Sequence, residues 1–313
     1  MANASYPLYE TLRYGDHSLQ TISVCIPRPL PQDQRPPGYW IVYIHGGAWR
    51  DPKVLASSFQ PAEEQLLNPA SEIYSQIAGT ASIDYRLSAH PKFPQDPDTT
   101  SPTEYRNAKH PDHLHDVVRA IALLQQKYHF GGRYLLVGHS CGATLAFQTV
   151  MPRLFESGTV KPDFPQPVAI VGVAGIYHLP LLIDTYADPT PYEEFIHGAF
   201  GADAAVLRCV SPAFEPADRS LSVGWTTGSL GSVVSSCNDE LVDDSQRLEM
   251  GFTLDRWCED EGLRRVCNGS DLKESHDDIW SKGTELAAVI YKSIKHLQDL
   301  EQVETPPSVL GNS

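Results

Sequence analysis

Cysteine, positive charge and long apolar runs are all scarce in this chain. Six cysteines, at positions 25, 141, 209, 237, 258 and 267, are spread over 313 residues. That is too thin for a disulfide scaffold at this length, and no two form a CxxC pair suited to zinc or to disulfide exchange. Reduced, structurally incidental thiols are expected. Lysine and arginine number 24 against 39 aspartates and glutamates, a formal charge of -15 with a sequence pI of about 5.1. A nucleic-acid backbone or an anionic membrane would be repelled, so neither is an expected partner. No window approaches the roughly 18 apolar residues of a membrane helix, and MANASYPLYETLRYGDH lacks the basic-then-apolar order of a secretory leader, so a soluble cytoplasmic protein is expected. There is no GxGxxG or phosphate-cradling loop to support a nicotinamide or nucleotide cofactor. HPDHLHD at 110–116 is the one tempting group of metal-ligating side chains, and His113 and Asp116 are expected to serve a helix start instead. Neither a cofactor nor a metal is expected.

What is present is ordinary globular composition, 41% hydrophobic and 20% charged, in a chain long enough to bury a large core. Short strand-forming runs occur at 39–44 (YWIVYI), 81–85, 133–137, 168–174 and 230–235. Helical patterns lie between them: 63–77, then 113–130 with Leu114, Val117, Val118, Ile121 and Leu124 on one face, and a closing helix from 283. Strands alternating with helices predict an α/β fold with a mainly parallel central sheet covered on both faces. A single domain over 1–305 is expected, with a Pro-rich surface excursion at 90–112, a partial cap around 176–224 and a frayed tail at 306–313. Self-association into a homodimer stays open.

The sharpest local signal is Gly138-His139-Ser140-Cys141-Gly142, directly after the strand-like YLLV and before the helical ATLAFQTV. Strand, GxSxG and helix together predict a sharp elbow that lifts Ser140 above the sheet as a nucleophile. The side chain of Cys141 should point elsewhere while its amide donates to an oxyanion. His45-Gly46-Gly47-Ala48-Trp49 follows YWIVYI, and its glycines let the amides of Gly46 and Gly47 join that of Cys141. His45 and His139 read as structural. A serine needs a histidine base oriented by a carboxylate, in the chain order Ser, acid, His. Asp239 lies just beyond the 230–235 strand, with Glu240, Asp243 and Asp244 as rivals. His276 follows in LKESHDDIWSKG, whereas His178 and His197 stand in the wrong order and His296 sits inside the last helix. Trp49, Tyr177 and Trp225 are candidates for aromatic pocket walls, Trp49 with ordinary packing as its alternative.

On HGGAWRDP (45–52), SIDYRLS (82–88), GHSCGA (138–143), NDELV (238–242) and SHDDIW (275–280), the sequence resembles the α/β-hydrolase superfamily, and within it the fungal-type kynurenine formamidases, or arylformamidases. The resemblance implies a Ser140-His276-Asp239 triad and hydrolysis of N-formyl-L-kynurenine to L-kynurenine and formate, a step of tryptophan catabolism toward NAD precursors. It implies a small-molecule aryl formamide or ester as the partner. A general carboxylesterase of the same fold and a noncatalytic binding protein are the alternatives.

Overall fold

In the computed structural model, which describes residues 6–30, 38–155, 160–187, 191–214, 220–259 and 263–304, the apolar runs assemble into one sheet. Its strands are β1 (Leu8–Arg13), β2 (Thr21–Ile26), β3 (Tyr39–Ile44), β4 (Ile77–Ile83), β5 (Tyr134–His139), β6 (Ala169–Val173), β7 (Leu230–Ser236) and β8 (Arg265–Leu272), in the order β1-β2-β4-β3-β5-β6-β7-β8. β1 and β2 pair antiparallel with each other and β2 antiparallel with β4; every other pairing is parallel. Among the described residues the α-helices are α1 (Gln60–Leu66), α2 (Asp112–Tyr128), α3 (Cys141–Gln148), α4 (Leu179–Thr185), α5 (Tyr192–Phe200), α6 (Ala204–Val210), α7 (Ser220–Gly224), α8 (Asp244–Glu259), α9 (His276–Ser281) and α10 (Thr284–Glu304).

YWIVYI has no polar face because both faces of β3 are covered. Trp40, Val42 and Ile44 enter the core that also holds the apolar sides of α2, α3 and α8, while Tyr39, Ile41 and Tyr43 enter a second core with α1, α9 and α10. The predicted stripe of α2 is buried from Leu114 to Leu124 as the periodicity requires. This is the expected α/β architecture. Two boundaries differ from expectation. The helix expected over 63–77 stops at Leu66, because Pro69 drives the residue before it out of the helical region. Ile77 instead opens β4, which begins four residues before the expected run at 81–85 because Ala78 and Gly79 are poor strand formers. Gly79 is needed there, since a Cβ would meet the Trp40 ring at 2.8 Å.

Segment 176–224 folds as the short helices α4 to α7. From it Ile176, Tyr186, Pro191, Tyr192 and Phe195 reach the cleft described below, while α7 packs against α8 and the turn after α3. The excursion at 90–112 is irregular and is tied to the body by Ser18 N–H to Thr103 O (2.7 Å) and His110 N–H to Ala199 O (2.7 Å). The expected tail at 306–313 lies outside the described residues. No helix among them is long and apolar enough to cross a membrane. The parallel strands β3, β5, β7 and β8 all end at one edge of the sheet, where such folds hold their ligands.

Candidate active site

Ser140 stands alone between the last residue of β5 and the first of α3, with φ 53° and ψ -125°. A side chain rarely adopts that conformation, which costs on the order of 1–3 kcal/mol. Its neighbours impose it. Ser140 N–H donates to Val173 O (3.0 Å), and Ser140 O accepts from Ala143 N–H (3.0 Å) and Ile176 N–H (3.2 Å). The flanking glycines are steric necessities: a Cβ on Gly138 would lie 2.4 Å from the Gly142 and Ala143 backbone, and one on Gly142 would lie 2.2 Å from Ile44 O.

That second clash brings the end of β3 against the elbow. A Cβ on Gly46 would meet Ser140 Cβ at 3.0 Å, so the HGGAW turn rests directly on the serine. Gly47, Ala48 and Trp49 all have positive φ, 89°, 50° and 57°, which coils the turn so that Gly47 O accepts from Arg50 N–H (3.0 Å) and Asp51 N–H (2.8 Å). Gly47 lines the cleft. Among the described residues no backbone carbonyl accepts from the Gly46, Gly47 or Cys141 amide.

The turn is braced from below. His45 is fully buried and stacks on Tyr85 with ring centroids 4.3 Å apart. Its Nδ1 lies 2.8 Å from Gly46 O and must carry the proton there, because a carbonyl only accepts. Tyr85 O–H reaches both His45 O (3.1 Å) and Gly46 O (3.2 Å). The following Arg86 donates through Nε (2.8 Å) and Nη2 (2.8 Å) to the buried Asp116, which also takes the Gln20 amide (2.8 Å). Asp116 thus anchors the SIDYRLS segment, while His113 is buried with Nε2 3.1 Å from Ser88 Oγ. Burial pushes the Cys141 thiol up to about 11, and its Sγ accepts from Trp49 N–H (3.3 Å), so it is protonated and turned away from the cleft.

His276 opens α9 and Asp239 follows β7 in the adjoining loop. Their side chains meet with Nδ1 to Oδ2 at 2.8 Å, both almost wholly buried. The other carboxylate oxygen accepts from Leu241 N–H (2.9 Å) and Val242 N–H (2.8 Å), which fixes the carboxylate plane. Glu240 accepts from the backbone N–H of His276 (3.2 Å) rather than from its ring. Asp243 and Asp244 serve the start of α8, Asp243 taking Ser245 N–H and Asp244 pairing with Arg247. His178 caps α4, His197 neighbours Glu193, and His296 neighbours Arg265. Ser140, His276 and the ring of His139, whose centroid is 4.7 Å from that of His276, line a single cleft of about 570 Å³.

The cleft's aromatic walls are not those expected. Trp49 and Trp225 are fully buried and Tyr177 nearly so. The left-handed turn swings Trp49 inward, edge-on to Phe200 (4.9 Å), where it backs Phe195. Gly172 and Gly175 close over the Tyr177 hydroxyl. Trp225 stacks on Trp257 at 4.3 Å and donates to Pro167 O, well inside the core. The walls come instead from Tyr186, Tyr192, Phe195 and Trp280, with Tyr186 and Tyr192 stacked 4.2 Å apart. Arg50, beside Gly47, also lines the cleft. Of these, Arg50 lies in HGGAWRDP and Trp280 closes SHDDIW, whereas Tyr186, Tyr192 and Phe195 carry no local signal.

No protein-family model matches the chain. It is 42% identical over 288 residues to the kynurenine formamidase-like hydrolase fscH of Fusarium equiseti, covering 91% of this chain and 92% of that protein. It is 37% identical over 275 residues to the kynurenine formamidase avaC of Aspergillus versicolor, covering 84% and 90%. Among solved structures it superposes on esterase B from Lactobacillus rhamnosis with a TM-score of 0.60 at 14% identity, over 95% of this chain and 88% of that one. A hyperthermophilic esterase from Pyrobaculum calidifontis gives a TM-score of 0.60 at 18% identity, over 89% and 81%. These two likenesses speak to the fold alone, and the fold is that of an α/β-hydrolase. With relatives this similar along nearly its whole length, the chain is a hydrolase that belongs to the kynurenine formamidase family.

Proposed function

We propose that this protein is a serine hydrolase that removes the formyl group of N-formyl-L-kynurenine, giving L-kynurenine and formate. The observation that carries the mechanism is the 2.8 Å contact of Asp239 with His276 in the cleft that Ser140 enters from its strained elbow. A carboxylate can only accept, so the His276 proton resides on Nδ1 and the Nε2 lone pair is left as the base. His276 takes the Ser140 proton as Oγ adds to the formyl carbon. The carbonyl oxygen becomes an oxyanion, received by the amides of Gly46, Gly47 and Cys141. Protonated His276 then gives its proton to the aniline nitrogen as the C–N bond breaks, leaving a formyl ester on Ser140. Water, deprotonated by His276, attacks that ester, and formate departs as the serine recovers its proton. The acyl side need hold only hydrogen, whereas the leaving-group side needs an aromatic slot. Tyr186, Tyr192, Phe195 and Trp280 suit that slot.

The competing reading, a general carboxylesterase, draws on the esterase neighbours. The two are separated by kcat/KM on N-formyl-L-kynurenine beside p-nitrophenyl acetate, with Ser140→Ala as control. A formamidase prefers the formamide by about a hundredfold, roughly 2.7 kcal/mol of transition-state discrimination, and loses both activities in the control. Ester turnover without formamide turnover makes the protein an esterase.

A further inference from the structure

Arg50 is the unusual charge of the cleft. It is 8% exposed, yet its one ion pair among the described residues is with Glu194, whose side chain is 57% exposed: Nη1 to Oε1 at 2.9 Å. The guanidinium carbon lies 5.5 Å from the Phe195 ring centroid, which holds the plane from one side. Nε and Nη2 meet no acceptor among the described residues. Withdrawing a guanidinium from water is costly, and one solvated carboxylate on one corner offsets little of that. A fork held by a neighbour and stacked on a ring, with its remaining edge open to a cleft, suits a second carboxylate bound through two parallel N–H bonds. Its position matters as much as its chemistry. Arg50 N–H closes the turn on Gly47 O at 3.0 Å, so the residue that carries the fork is hydrogen-bonded into the turn that rests on Ser140. The cleft's other strong cation, Lys92, is exposed and lacks this support.

We propose that Arg50 determines specificity by receiving the α-carboxylate of the substrate's amino-acid head group on its Nε and Nη2 edge, while Nη1 remains on Glu194 and the aryl formamide faces Ser140. The proposal rests on the aryl-formamide reading above. It predicts that the enzyme distinguishes an aryl formamide carrying an amino-acid side chain from one that does not.

The test is calorimetric binding of three ligands, L-kynurenine, its methyl ester and 2-aminoacetophenone, to the wild type, Arg50→Gln and Arg50→Lys. Wild type should bind the acid about 10- to 100-fold more tightly than the ester, the worth of a hydrogen-bonded charge. Arg50→Gln should erase that preference, and Arg50→Lys, with charge but no fork, should restore only part of it. Binding of 2-aminoacetophenone, which has no carboxylate, should not track these changes. Equal binding of acid and ester by wild type overturns the proposal even if a variant does not fold, and so does an acid preference that survives Arg50→Gln. The two readings fail separately. Discrimination through Arg50 without turnover of N-formyl-L-kynurenine sinks the formamidase and leaves the carboxylate site; turnover without discrimination does the reverse.

Discussion

Replacing Asp239 with asparagine exchanges one carboxylate oxygen for an amide nitrogen, and the surrounding hydrogen bonds dictate how the new side chain must sit. One carboxylate oxygen accepts two backbone donors, Leu241 N–H at 2.9 Å and Val242 N–H at 2.8 Å. An NH2 turned that way would face two donors, so the amide oxygen has to take that side. The NH2 is then left pointing at His276 Nδ1, where the carboxylate oxygen stood at 2.8 Å. To accept from it, Nδ1 must lose its proton, which moves to Nε2, the nitrogen required as the base. The imidazole is held in the right place in the wrong tautomer. The same change in a serine protease triad costs about 10⁴ in kcat, or about 5 kcal/mol at the barrier, and a similar loss is expected here. Pre-steady-state p-nitrophenyl acetate hydrolysis measures the acylation rate directly, with thermal melting to verify the fold. Glu240→Gln is the paired control: its amide oxygen can still accept the His276 backbone N–H, and the loss should stay under about tenfold. Retention of more than about a tenth of wild-type kcat by Asp239→Asn, or a larger loss in Glu240→Gln, would refute the assignment of the acid.

Three further outcomes are expected. Tyr85→Phe removes the hydroxyl that reaches His45 O and Gly46 O, and should lower kcat about tenfold with little change in KM while costing about 1–2 kcal/mol in urea unfolding; an unchanged kcat would show that the turn needs no brace. Gly142→Ala places a methyl 2.2 Å from Ile44 O, and should destabilise the protein by about 3 kcal/mol or more in the same assay. Burial lowers His113 to about 3, so between pH 6.5 and 3 the unfolded chain binds a proton that the folded one refuses. Its contribution to stability is therefore complete above about pH 6.5 and lost progressively as pH falls toward 3. His113→Gln should flatten the difference in unfolding midpoint between about pH 7 and about pH 4.5, and an unaltered difference would count against the burial origin.

The parts of the site that could be read from sequence are those whose geometry is local. Gly138, Ser140 and Gly142 are diagnostic because backbone contacts within one turn demand them, and Gly46 and Gly47 because a coiled turn follows a strand. Asp239 and His276 are separated by a whole strand and helix, but each lies just past a strand end, where chain order locates it. Of the cleft walls only Trp280, at the end of SHDDIW, lay in a legible motif, and nothing there marked it as a wall. Tyr186, Tyr192, Phe195 and Trp280 come from two remote segments, and only the packing of α5 and α9 about the sheet edge makes them neighbours. Trp49, Tyr177 and Trp225 misled in the opposite way: large aromatics near functional loops were wanted by the core that supports those loops. The sheet itself hid where its composition is untypical, at Ala78 and Gly79 in β4 and in the Asn268-Gly269-Ser270-Asp271 stretch of β8.

The contact of the HGGAW turn with the serine depends on how the two strands that lead into them are paired. Ile44 of β3 stands opposite Gly138 of β5, and only in that alignment do Gly46 and Gly142 fall where two backbones can touch. Sliding β3 by a single residue would turn Trp40, Val42 and Ile44 into the opposite core and carry the HGGAW turn off Ser140 in the same motion. Chemistry and core are thus gated by one alignment of neighbouring strands, so recovery of turnover during refolding is a clock for when the two central strands lock in step.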